Sequence, residues 1–120
     1  MNNKAFVDAI KIAVRDAAVF GTLELLRNPP GRRPRQDLID ISKWFNSLSD
    51  EDKKMLSNIL RLNTDAAVFG FLAVLDGERV VEDSQKKGEF ELFYIGSEGR
   101  VRLNAPDQEM LHDIFNAERE

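Results

Sequence analysis

Over residues 3–27 the apolar side chains Phe6, Ile10, Ala13, Ala17, Phe20 and Leu23 recur at spacings of three and four, which places them on one face of a helix. Val7, Ile12, Val14 and Val19 widen that sector, so contact on more than one side is expected. Asn28-Pro29-Pro30-Gly31 ends the helix, because residues before proline avoid the αR region and glycine after two prolines enforces a loop. A shorter helix is predicted over 35–47, with Leu38, Ile41, Trp44, Phe45 and Leu48 as its apolar side. Trp44, the only tryptophan, reads as a core or interface anchor. A third helix is predicted over 50–76. Ser49 can accept from first-turn N–H groups, and Asp50, Glu51 and Asp52 complement the helix dipole. From Ala66 to Leu75 there is no polar side chain, so burial on nearly every side is expected, with Gly77 as the residue that stops the helix.

After Gly77 the period changes. Strands are predicted at 78–82, 89–95 and 100–104, the last two joined by a Gly96-Ser97-Glu98-Gly99 hairpin. Val101 and Leu103 are expected inward, Arg100 and Arg102 outward. A closing helix over 107–117 turns Met110, Leu111, Ile114 and Phe115 inward, and the polar tail 116–120 is expected to fray. The expected fold is therefore α+β in a single domain, 1–120: two long core helices, a shorter helix, a three-stranded antiparallel β-meander at about 78–104 and a C-terminal helix.

Asp16-Ala17-Ala18-Val19-Phe20-Gly21 recurs letter for letter as Asp65-Ala66-Ala67-Val68-Phe69-Gly70. A glycine inside a helix costs about 1 kcal/mol relative to alanine. Its presence at the same place in two helices predicts close backbone approach where they cross. Asp16 and Asp65 hold matching positions, each expected on its helix surface beside a basic neighbour; Arg61 and Asp65, four apart, can pair.

Composition narrows the chemistry. The net charge of −4 and pI near 5.1 argue against general affinity for nucleic acid or anionic lipid, though not against a local basic patch. There is no cysteine, which removes disulfides, thiol nucleophiles and thiolate metal sites. Charged residues interrupt the N-terminus, so it is not read as a signal peptide, and no apolar run approaches the roughly 20 residues that cross a bilayer. A cytoplasmic protein without membrane contact is expected.

No catalytic constellation is legible. His112 is the only histidine, and adjacent helix residues diverge by about 100°, so His112 and Asp113 do not make a dyad by themselves. A structural role for His112 is expected before that of a general base. Asp76, His112 and Asp113 are kept as pocket candidates should the fold bring them together. No metal site and no cofactor are expected: there is no histidine pair, no EF-hand loop, no P-loop and no Gly-x-Gly-x-x-Gly. The most unusual composition is the loop from Asn28 to Gln36. Arg27, Arg32, Arg33 and Arg35 cluster there without an acid until Asp37. A solvated loop paired to the chain's own carboxylates is the first reading; a site for an anion or partner is the second.

The segments Asn28-Pro29-Pro30-Gly31-Arg32, Phe69-Gly70-Phe71-Leu72, Leu75-Asp76-Gly77 and Leu111-His112-Asp113-Ile114-Phe115 resemble those of a family of small bacterial proteins to which no activity is assigned. The resemblance covers most of the chain. It implies a bacterial cytoplasmic protein and carries over no functional residue.

The leading functional expectation is a non-enzymatic protein-binding module, immunity-like or regulatory, with a protein partner. A homodimer is a further expectation, since so apolar a helix exceeds what one small chain covers. Two alternatives stand beside it. One is a weak phosphate or nucleic-acid binder acting through Arg27, Arg32, Arg33 and Arg35, although nucleic acid fits poorly with the net charge. The other is an enzyme using His112 with a carboxylate supplied by the fold.

Overall fold

The computed structural model describes residues 1–117, so residues 118–120 of the expected fraying tail lie outside the described residues. The fold is α+β. Helix α1 (Asn3–Ile10) runs through a π-helical segment, Lys11–Asp16, into α2 (Ala17–Arg27), so the predicted helix over 3–27 is present with one stretch of wider winding. Helices α3 (Gln36–Ser47) and α4 (Asp50–Leu75) follow, then strands β1 (Phe93–Gly96) and β2 (Gly99–Arg102), then α5 (Leu111–Ala117). The residues fall into two compact units: Met1–Ala13 together with the chain from Ala66 on, and Val14–Asp65.

The helix ends follow local chemistry. Asn2 Oδ1 accepts from the Ala5 N–H and starts α1. Ser49 Oγ accepts from the Asp52 N–H, three residues on, at the start of α4. Gly77 has φ +81, donates to the Val74 carbonyl, and is followed by Glu78, which donates to the Ala73 carbonyl. That pair of bonds is a Schellman stop, which needs a left-handed residue and so selects glycine.

In the unit holding both termini, Val7, Leu72, Leu111, Ile114 and Phe115 form the buried cluster, with Phe6, Val68, Phe69, Leu75 and Leu92 against it. Each fully buried side chain of this size stabilises by about 1.5–3 kcal/mol. Coverage of 66–75 is one-sided: Leu72 and Ala73 are buried, whereas Ala66, Ala67 and Phe71 are exposed. Burial on nearly every side, expected from the sequence, is therefore not found. By length and composition only, α4 could cross a membrane, and 28% of its apolar window is buried.

The expected three-stranded meander is a two-stranded hairpin. β1 and β2 pair antiparallel with Phe93 opposite Arg102 and Gly96 opposite Gly99, around Ser97-Glu98. The earlier part of the predicted strand 89–95 keeps one backbone bond to the second strand, from the Leu103 N–H to the Leu92 carbonyl, and is otherwise held by a side chain. Asn104 Oδ1 accepts from the Leu92 N–H, and Asn104 Nδ2 donates to the Phe90 carbonyl. Residues 78–82 form no strand; Glu82 folds back to accept from the Gly88 N–H, and Val80 and Val81 are exposed. Leu103 is buried as expected, but Val101 is exposed. The last helix begins at Leu111 and not near 107, because its first N–H groups are met by Asp76.

In the Val14–Asp65 unit, α2 and α3 pack together. Val19, Leu26 and Phe45 are its buried large apolar residues. Buried Ser42 donates to the Leu26 carbonyl, and Asn46 donates to the Arg27 carbonyl, which fastens the α2 terminus to α3. The repeat does not mark a backbone crossing. A side chain at Gly21 would meet nothing, and the space beside Gly70 is filled by the guanidinium of Arg79.

Candidate functional site

Two places in the chain collect chemistry-bearing side chains. The first is the C-terminal end of α4. Leaving the helix in the Schellman turn, Asp76 points its carboxylate at the first turn of α5. Its Oδ1 accepts from the Leu111 N–H at 3.1 Å, and its Oδ2 from the His112 N–H at 2.8 Å. A carboxylate there satisfies two orphan donors and opposes the positive end of the helix dipole. Oδ2 also lies 2.6 Å from His112 Nδ1, and the Asp76 side chain is only 2% exposed. An ionised carboxylate only accepts, so Nδ1 carries the proton of this bond. The ring stands edge-on to Phe69, with 5.4 Å between ring centres.

With Nδ1 turned inward, Nε2 points toward the surface, 3.4 Å from the Oδ1 of exposed Asp113. Sequence neighbours thus meet after all, because Asp76 fixes the ring's orientation and Asp113 bends toward its outer nitrogen. The contact has a donor only when the ring carries both protons. Asp76, His112 and Asp113 are brought together, as the pocket candidates required. A shallow cavity of about 140 Å³ beside them is lined by Asp76, Phe90, Arg102 and Asn104, and His112 does not line it. Two of the Asp76 bonds cap α5, and the third holds the orientation of the imidazole ring.

Asn104 was not singled out by sequence. It makes four hydrogen bonds: from Leu92 N–H and Arg102 Nε to its Oδ1, and from its Nδ2 to the carbonyls of Leu75 and Phe90. That uses the full capacity of the amide and ties the end of α4 to the hairpin. No periodicity or motif flags it, since an asparagine after a strand reads as an ordinary turn residue.

The second place is the arginine loop, in the Val14–Asp65 unit. Arg27 pairs with Glu24 one turn back. Arg35 grips Asp37 with two bonds, Nε to Oδ1 and Nη2 to Oδ2. This hydrogen bonding holds the Asp37 carboxyl below its usual range and raises the Arg35 guanidinium; both groups are fully exposed. Arg32 and Arg33 are exposed, and no ion pair or hydrogen bond joins them to another described residue. Two of the four arginines thus face their own chain's acids. The repeat aspartates are likewise neutralised: Arg15 lies 3.0 Å from Asp16 and 3.8 Å from Asp65, and Arg61 lies 3.6 Å from Asp16. Arg61 therefore pairs with Asp16 in place of the Asp65 four residues away. Among the described residues, no group of three acids or histidines is placed to hold a metal ion.

What the Val14–Asp65 unit shows most is apolar surface. Eight large apolar side chains are at least 40% exposed there, against three that are buried. On α4, Met55, Ile59 and Leu62 recur at spacings of four and three, so they share one face, and they are 58, 54 and 62% exposed. On α3, Ile41 and Trp44 are exposed one turn apart, while Ser42 and Phe45 face inward. Trp44 is therefore not a core residue.

Comparison with protein-family models, curated proteins and solved structures gives no match to this chain.

Proposed function

We propose that this chain is a protein-binding module, of immunity-like or regulatory type, that works through the apolar helix faces of residues 14–65. One observation carries the reading: Met55, Ile59 and Leu62 form an exposed stripe on α4, in a unit whose exposed apolar side chains outnumber its buried ones. Single exposed apolar residues are ordinary, but Met55, Ile59 and Leu62 share one face of one helix. Trp44 and Met55 are also of the residue types enriched where protein surfaces meet. Two of the three Asp76 bonds cap α5, and His112 does not line the cavity beside Asp76, which favours this reading over catalysis.

Affinity capture from nuclease-treated lysate, with a salt series, tests it. A stoichiometric protein should be retained at high salt by the wild-type chain and lost with Ile59→Glu, because apolar contact does not weaken as ionic strength rises. Retention of nucleic acid alone, lost at moderate salt and abolished by Arg32→Gln with Arg33→Gln, would overturn it in favour of the arginine loop.

A further inference from the structure

We propose that the cavity under the loop between α4 and β1 binds a small organic acid, with its carboxylate on Arg79 and its apolar body against Val80, Val81 and Phe90. No residue of the α4 stripe takes part, so this site stands or falls separately from the binding-module reading. Residues 76–92 contain no helix or strand, and a connection of that length in a small domain is most often either functional or disordered. This one is tied to itself. Glu82 Oε2 accepts from the Gly88 N–H at 2.9 Å, and Ser84 Oγ accepts from the Lys86 N–H and donates to the Lys86 carbonyl. With the end of α4, the closed loop frames a cavity of about 270 Å³. That is just below the usual range of ligand sites and holds a ligand of roughly ten non-hydrogen atoms.

Arg79 is the group in the cavity wall that the fold does not otherwise use. Its backbone is fixed, since its N–H donates to the Ala73 carbonyl. Its guanidinium turns back over Gly70, where a Cβ would collide with Nη1. An arginine near a helix C-terminus commonly serves the last carbonyls, but here each of the last four already has a donor. The N–H groups of Asp76, Glu78 and Gly77 meet Leu72, Ala73 and Val74, and Asn104 Nδ2 meets Leu75. No ion pair or hydrogen bond joins the Arg79 guanidinium to another described residue. A planar fork of donors held at a cavity wall matches a carboxylate. Lys87 is a second cation in the lining, while Glu82 and Glu89 line it too, so the formal charges of the cavity balance. A polyanion such as a nucleotide gains little from a balanced rim, whereas one carboxylate in direct contact with Arg79 does gain. Val80, Val81 and Phe90 are each more than half exposed, and an apolar ligand body would remove that surface from water.

Titration of phenylacetate and hexanoate into the protein, followed by amide NMR, tests the site, with phenethyl alcohol and hexanol as uncharged comparisons. Both acids should give saturating shifts confined to residues 70–90, with a Kd on the order of 1 mM, and the alcohols should bind about tenfold more weakly. Arg79→Gln should weaken the acids about tenfold and leave the alcohols unchanged. Gly70→Ala is a second variant that keeps the net charge. Its methyl group takes the place of the guanidinium, and alanine favours the helix, so the fold is retained. It should weaken the acids several-fold. The absence of saturating shifts with both acids overturns the proposal. So do shifts spread along the whole chain, alcohols that bind as tightly as the acids, or wild-type affinity for the acids in Arg79→Gln.

Discussion

The unit of the two termini and the unit of residues 14–65 solve the same problem differently. The first gathers Val7, Leu72, Leu111, Ile114 and Phe115 around one point and ties its backbone with Asn104 and Asp76. The second buries Val19, Leu26 and Phe45 while leaving Trp44, Met55, Ile59 and Leu62 in solvent. Both are built from amphipathic helices of similar composition. The difference lies in how each core is closed: one gathers around its own terminal helix, whereas the other buries three large apolar side chains and keeps an exposed apolar stripe on α4. Local periodicity reports that a face is apolar, but not whether its cover comes from the same chain.

The sharpest way to break this contrast is to hollow out the closed unit. Phe115→Ala should cost about 3–5 kcal/mol, read as a lower urea midpoint, with a loss that does not depend on protein concentration. Were the loss under 1 kcal/mol, the cluster would not be a core in the sense argued above. Asn104→Ala should come next, at about 1–3 kcal/mol by the same measurement, since the Leu92 N–H and the Leu75 and Phe90 carbonyls all lose a partner. Amide exchange at Leu92 should quicken with it. Gly77→Ala places a side chain at φ +81 and should cost about 1–2 kcal/mol, whereas Gly21→Ala, at an open helical position in the other unit, should stabilise by up to about 1 kcal/mol.

The smallest effect concerns the arginine loop. Arg35→Ala should let the Asp37 carboxyl rise toward its ordinary range, as followed by carboxyl chemical shifts through an acid titration. The sign follows from the direction of the shift. A carboxyl held low in the folded chain contributes above its unfolded pKa, and that contribution fades as pH falls through the folded one. No measurable change in global stability is expected from so exposed a pair.

The helices were legible because they rest on periodicity and on stop signals that act over four or five residues. Ser49 and Gly77 are examples in which a single residue's chemistry decides the boundary. The strand at 78–82 was not, because a strand needs a neighbour: 78–82 pairs with neither strand of the hairpin, and Val80 and Val81 are exposed. In the shortened 89–95 strand the Leu92 carbonyl still accepts from the Leu103 N–H, while Asn104, more than ten residues away, takes the Leu92 N–H and the Phe90 carbonyl. The repeat misled for a related reason. Glycine at a matching position was read as a crossing, whereas Gly70 makes room for Arg79, a partner outside the repeat. Of the site residues, Asp76 was marked as a helix end and His112 as a structural residue. That the first caps the helix bearing the second, across 36 positions, lay outside anything spacing encodes.

The union of α1 with α5 governs the order in which the molecule is completed. Asn3 Nδ2 donates to the Glu109 carbonyl across 106 positions, and Val7 is sealed by side chains from 111–115. A seven-residue helix has little stability by itself, and α5 also waits for Asp76 to supply its first bonds. During synthesis, α1 therefore leaves the ribosome long before the residues that cover it. Until residue 115 has emerged, Val7 and Leu72 remain open to water. Contacts of such separation form late and slowly. The half of the molecule with the best-formed core is thus the half that must fold last, over an interval in which its apolar face is open to other chains.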